Sequence, residues 1–268
     1  MIAGALSYGN DQMLYGLYLT AQGATAQSQR LDVIANNIAN ASTTGFKRDL
    51  AIFRQMLPHD IELGLEDVQP RNQQEQTGGL VLDEVVTDFS NGSLQTTDSD
   101  FDVAIQGPGF LQVSNGKRDF LTRDGQLAMN SNGELVTASD GLNVLNAAGA
   151  PIVLPANTTN VAISSTGAVS VSVDGQTSFP LTQLGVVTPR DFKALEKQGE
   201  NLYISHAPVD PAAPNVVVKQ GYIENSTVEP VGEMLQMIET SRAFESNLNM
   251  AKYQDESLGL LLGSLARV

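Results

Sequence analysis

The sequence predicts an α+β protein. Its centre is an all-β domain of antiparallel strands, held between long N- and C-terminal helices with heptad-like apolar seams. Three observations lead there. Apolar residues at alternating steps of three and four are confined to the two ends of the 268-residue chain. The middle changes to a period of two. Asn-Gly and Asp-Gly pairs begin at 91, 115, 124, 132, 140 and 174, and those from 115 to 140 follow one another at eight- or nine-residue spacing. Such pairs supply the positive φ angles of tight hairpin turns.

Residues 1–42 read as an N-terminal assembly helix. Leu14, Leu17, Ala21, Ala24, Ser28, Leu31, Ala35 and Ile38 form the seam, with Ile34 adjoining it. Over Met13 to Ala41 the helix is about 43 Å long at 1.5 Å per residue. It is a poor free-standing element, because Gly16 and Gly23 each cost up to about 1 kcal/mol relative to alanine. Asp11 is the single charge between Met1 and Gln29. Few charges and many small side chains suit a helix surrounded by other helices.

Residues 43–79 read as an extended connector, with Pro58, Pro70, the polar run Asn72 to Gln76, and Gly78-Gly79. From Asp60 to Asp102 there are eleven carboxylates and one base, Arg71. Strands follow in a β domain over 80–227. They are expected around Phe101 to Ile105, Phe110 to Val113, Val161 to Ile163, Val169 to Val173, Val216 to Val218 and Tyr222-Ile223, with a short helix near Asp191 to Leu195.

Residues 228–268 form the C-terminal assembly helix. Its expected seam is Met234, Met237, Ser241, Phe244, Leu248, Ala251, Asp255, Leu258, Leu262 and Leu265. Pro230 suits a first helical turn, and Ser226 or Thr227 is placed to cap it.

Composition excludes whole classes of function. A net charge of −15 argues against nucleic acid and against anionic lipid. With no cysteine, disulfides, thiolate metal sites and cysteine nucleophiles are ruled out. Two histidines, His59 and His206, cannot build a multi-histidine metal centre. No apolar run reaches the roughly 18 residues of a membrane helix, so no direct membrane insertion is expected. A basic n-region is missing, since the first base is Arg30, so no cleaved secretory signal is expected either.

Apparent sites dissolve on inspection. Asp98, Asp100 and Asp102 have calcium-loop spacing, but Val103 stands where the loop needs glycine and Gly109 where it needs glutamate. Gly107-Pro-Gly109 has no following Gly-Lys-Ser/Thr and reads as a turn. No catalytic constellation, cofactor or metal is expected.

The most informative stretch runs from Ala35 to Arg48. Physically it closes the first helix, with Asn36, Asn37 and Asn40 weak helix formers, Ser42, Thr43 and Thr44 turn formers, and Gly45 free to take a left-handed position. Asn36-Asn37-Ile38-Ala39-Asn40 and Ser42-Thr43-Thr44-Gly45-Phe46 also closely resemble the N-terminal signature of the bacterial flagellar basal-body rod and hook proteins. Asp102 to Phe110, with Thr122 to Gly125, is similar to that family's β domain. Gly221 to Val228, Met237-Ile238 and Arg242 to Glu245 are similar to its C-terminal segment.

The resemblance implies a subunit of the hollow flagellar axis. The N- and C-terminal helices would pair as a coiled coil and line a central channel in a helical tube of identical copies, joined to other rod and hook proteins, in the periplasm-spanning basal body. Export would run through the flagellar type III gate without cleavage. Phe53-Arg-Gln-Met-Leu57 fits the family's Phe-x-x-x-hydrophobic gate motif, which assigns that role to Phe53 and Leu57. A single β body favours rod over hook, and the acidic connector leans toward the distal rod. The competing reading from another class is a β-sandwich binding or adhesin module with helical oligomerisation tails. The absence of tryptophan and an aromatic content of 6% speak against it.

Overall fold

The computed structural model of the protein describes residues 2–55, 79–174, 178–199 and 201–265. They fall into two compact units. One comprises 1–38, 49–86 and 229–268; the other comprises 39–48 and 87–228.

The first unit holds helix α1 (Ile2–Ala39), helix α2 (Pro230–Leu265) and a two-stranded sheet of β1 (Asp49–Gln55) and β2 (Leu80–Thr87). α1 starts well before the expected Met13, because nothing upstream breaks it: the first proline in the chain is Pro58. Pro230 opens α2 as expected. The caps differ from expectation. The first i→i−4 bond runs from Glu233 N–H to the Glu229 carbonyl, while the Thr227 hydroxyl accepts from Arg48 N–H at 2.9 Å. Within the segment read as connector, residues 49–55 form a strand whose burial alternates from Asp49 to Phe53, with Leu50 and Ile52 on its exposed face. No helix among the described residues is long and apolar enough to cross a membrane.

The second unit is the β domain, and every strand pair in it is antiparallel. Its strands run from β3 (Leu94–Thr96), β4 (Val103–Gln106), β5 (Phe110–Ser114) and β6 (Asp119–Thr122) to β17 (Val217–Gln220) and β18 (Tyr222–Glu224). Val161 and Ile163 lie on β10 (Thr158–Ile163), and Val169, Val171 and Val173 on β11 (Ala168–Val173), as the period of two predicts. The expected short helix is a 3-10 turn over Phe192–Ala194, capped by the Asp191 carboxylate.

Val103, Ile105, Leu111, Val113, Val144, Val169 and Val171 are fully buried in the main core. A second cluster holds Phe110 and Tyr203 with Phe89 and Phe192, its rings 5.4–6.3 Å apart. These aromatics pack inward, so they form no sugar-stacking platform.

The turn pairs divide. Gly116, Gly133 and Gly141 take positive φ as expected, and Asp174 does so itself. Asp124-Gly125 is not a hairpin turn. Gly125 is required because a β-carbon there would lie 1.6 Å from the Val103 carbonyl oxygen.

Candidate assembly elements

The signature segment lies partly in each unit. In the first, Asn37 is buried near the end of α1. Its Nδ2 donates to the Asp49 carbonyl and its Oδ1 accepts from Asp49 N–H, both at 2.9 Å. Strand β1 is thereby tied to the helix it follows. Asn36 is exposed and Ile38 half-buried.

In the second unit, Asn40 and Thr43 form a closed turn, with Thr43 N–H on the Asn40 carbonyl at 3.1 Å and the two side chains bonded at 3.2 Å. Ser42 is exposed. Gly45 (φ +67°) donates to the Glu224 carbonyl at 2.7 Å, and Asn201 Nδ2 donates to the Thr44 carbonyl at 2.6 Å. Phe46 is buried beneath the Lys197 ammonium, 3.9 Å from the ring centroid. This is a docked segment of the β domain, more than the helix end its sequence describes.

Next to Phe46, three separate motifs converge. Lys47 comes from the N-terminal signature, Arg123 from the Thr122–Gly125 stretch and Glu224 from strand β18. Lys47 Nζ lies 2.6 Å from Glu224 Oε1, and Arg123 Nη1 lies 3.4 Å from Glu224 Oε2. Glu224 Oε1 also accepts from Gly92 N–H, and Lys47 donates to the Ser90 carbonyl at 2.6 Å. Arg123 Nη1 also donates to the Ile105 carbonyl and Nη2 to the Gly107 carbonyl, and the guanidinium sits 4.8 Å over the Phe110 ring. Two cations thus share one carboxylate in the interior. Burial pushes the Lys47 ammonium and the Arg123 guanidinium below their ordinary values, while Glu224 pulls both back up. Sequence reading missed this cluster; the signal available was a lysine directly after the signature, an arginine in Thr122–Gly125 and a glutamate in Gly221–Val228.

In the helical unit the contact geometry is set by glycines. A β-carbon on Gly16 would lie 3.0 Å from Gln254 Nε2, and one on Gly23 would lie 3.1 Å from Asn247 Nδ2. Thr20 Oγ1 is 3.3 Å from Gln254 Oε1. Numbers rise along α1 as they fall along α2, so the helices run antiparallel.

The shielded line of α2 keeps strict steps of four and three. Met237, Phe244, Ala251 and Leu258 alternate along it with Glu233, Thr240, Asn247 and Gln254, all buried or half-buried. The residues expected on the seam differ in exposure. Met237, Phe244, Ala251 and Leu258 are on the shielded line, but Met234, Leu248 and Asp255 are exposed. At the alternate steps the expected series, Met234, Ser241, Leu248 and Asp255, lies one position past the shielded residues, or about 100° around the helix. On α1, Ala24 and Ile34 are buried and Leu17, Ser28, Leu31 and Ile38 half-buried, whereas Ala21 and Ala35 face outward. The side chains of Leu14 and Leu262 lie outside the described residues.

Phe53 of the gate motif is half-buried on β1, and Leu57 lies outside the described residues. His206 is a surface residue, its ring 2.7 Å from Glu196. Among the described residues no group of His, Asp and Glu side chains could hold a metal ion.

Such a molecule, with its polar chemistry buried as structure and its apolar surface on long helices, is a building block. Comparison with known proteins says of what. Residues 17–47 match the family described as flagella basal body rod protein. Residues 104–171 match the flagellar hook protein FlgE/F/G D1 domain, and 219–263 the flagellar basal body rod FlgEFG protein C-terminal family. The flagellar basal-body rod protein FlgG of Buchnera aphidicola subsp. Acyrthosiphon pisum is 37% identical over 92% of this chain and 98% of its own. The Bacillus subtilis protein of the same name is 32% identical over 92% and 97%. FlgF of Caulobacter vibrioides is 32% identical over 94% and 97%. The chain belongs to the flagellar basal-body rod protein family, as its signature motifs predicted, and its role is that of a structural subunit, not an enzyme.

Proposed function

We propose that copies of this chain assemble into a helical tube, the periplasm-spanning shaft of the flagellar basal body, after uncleaved passage through the type III export gate. α1 and α2 pair as an antiparallel coiled coil, and these pairs pack against one another along the axis. Other rod proteins and the hook proteins are the neighbours at the ends of the tube. The acidic stretch after β1 supports a place in the distal rod.

One observation carries the reading. Val231, Leu235, Ile238, Tyr253 and Leu260 are all exposed, Val231 to 72% and Leu260 to 77%. At 100° per residue they fall within an arc of about 60°, on the side of α2 opposite its shielded line. A helix apolar on two opposite sides needs a second neighbour. Identical subunits provide one, since a face on every copy can meet a complementary face on the next.

Electron microscopy of basal bodies from cells whose only copy carries a dense tag tests the assignment. The tag is expected along the shaft, and a shaft without it overturns the proposal. Export is tested separately by Phe53→Ala with Leu57→Ala, which should block secretion while leaving the β domain folded. Normal secretion of that variant removes the gate role.

A further inference from the structure

We infer that the polar half of the α2 seam, Gln254, Asn247, Thr240 and Glu233, sets the register in which the two terminal helices pair. The inference rests on the coiled-coil reading proposed above. These four residues recur at every seventh position and are shielded, Thr240 and Glu233 fully so. Gln254 is seated against Gly16 and Asn247 against Gly23, also seven apart. Each pair of numbers sums to the same value, so continuing the register opposes Arg30 to Thr240 and Asn37 to Glu233.

Apolar seams tolerate slippage by one heptad, because one leucine or alanine serves nearly as well as the next. A polar residue in a seam costs stability and fixes register, since its displacement leaves it without its seat. Here the seats are specific. Glycine on α1 leaves the space that an amide on α2 fills, and the added β-carbon distances show that little room is left over. A slip of seven residues would bring Gln254 to Gly23, but it would also drive Asn247 onto Arg30 and Thr240 onto Asn37. The glycines of α1, unfavourable for an isolated helix, thereby acquire a purpose.

The chain contains no cysteine, so introduced pairs report register directly. In the full-length protein under mild oxidation, G16C/Q254C probes the observed register and G23C/Q254C a slip of one heptad. The first pair is expected to cross-link and the second to fail. Adding T240L/N247L removes two of the polar determinants, and the slipped pair should then cross-link as well. Slipped cross-links in the otherwise unaltered seam would overturn the inference while leaving helix pairing intact. So would loss of slipped cross-links in the T240L/N247L background when the matched pair still forms. If neither pair cross-links in either background, the pairing itself is refuted and the register proposal with it.

Discussion

Lys47 and Glu224 meet at 2.6 Å with neither side chain exposed, although 177 positions separate them in the chain. Lys47 follows the N-terminal signature directly, and Glu224 stands just before the return toward α2. Their contact fastens the segment 39–48 to the strands of its own unit. With Arg123 beside them, one buried carboxylate serves two interior cations, and the exposed Asp88 adds a weaker attraction on Lys47.

Removing the carboxylate should therefore cost more than removing either cation. Glu224→Gln leaves Lys47 and Arg123 buried without the carboxylate they share, and losing one partner of a buried pair typically costs about 3–5 kcal/mol. Lys47→Met leaves the Arg123–Glu224 contact in place and should cost clearly less. Urea unfolding of both variants, followed by circular dichroism, checks the order. A Lys47→Met loss equal to that of Glu224→Gln would contradict it.

The second prediction concerns pH. Burial raises the Asp124 carboxyl above its ordinary value, against hydrogen bonds from Gln126 N–H and the Ser139 hydroxyl that favour the charged form. A carboxyl whose folded pKa is raised contributes stability that is complete below the unfolded value of 3.8 and is lost as pH rises through the folded value. Asp124→Asn keeps an acceptor for Gln126 and cannot ionise. The variant should gain stability relative to the parent as pH climbs from about 3 to 7. Urea midpoints across that range, compared between the two proteins, measure it; parallel curves would rule it out.

Gly45 gives a sharper test of the docked signature. Its φ is +67°, and an added β-carbon would lie 2.4 Å from the Arg123 carbonyl oxygen. Gly141 has nearly the same φ, +66°, with nothing within 4 Å of its β-carbon position. Gly141→Ala should cost only the left-handed strain, about 1 kcal/mol. Gly45→Ala adds a clash with backbone and should lower the thermal midpoint of the β domain several times as far. Equal shifts would mean that the signature segment is not held against Arg123.

These residues show what the sequence makes legible. Strands such as Val169 to Val173 announce themselves, because one buried face needs an apolar residue at every second position. The α2 line was misread for the opposite reason. Met234 and Leu248 are more apolar than Glu233 and Asn247, yet the shielded line takes the polar pair, and at Asn247 the facing Gly23 of α1 leaves an amide-sized seat. Lys47 reads as an ordinary solvated lysine, for lysine is almost never fully buried unless paired. Its partner is supplied by topology, and no local pattern announces a neighbour so distant in the chain. Gly125 misled as well: Asp-Gly is a hairpin signal, but here the glycine answers a steric demand from Val103.

The last prediction separates the two faces of the helical unit. Ile34 is 3% exposed within it, whereas Leu235 is 59% exposed. Ile34→Glu places a charge where the unit itself excludes water, so it should disturb the isolated chain, at a cost of several kcal/mol for an unpaired buried ion. Leu235→Glu places the same charge in solvent, and surface substitutions of that kind shift stability by about 0.5 kcal/mol or less. In a polymer the roles converge, because the stripe holding Leu235 is then covered by the next subunit and the penalty recurs at every copy. Cells with Leu235→Glu as their only version should be non-motile, with no subunit in their basal bodies, even though the purified variant unfolds at the parent midpoint. Leu235→Glu cells that swim would show that the stripe stays exposed in the finished rod, and the tube would have to be held together by other surfaces.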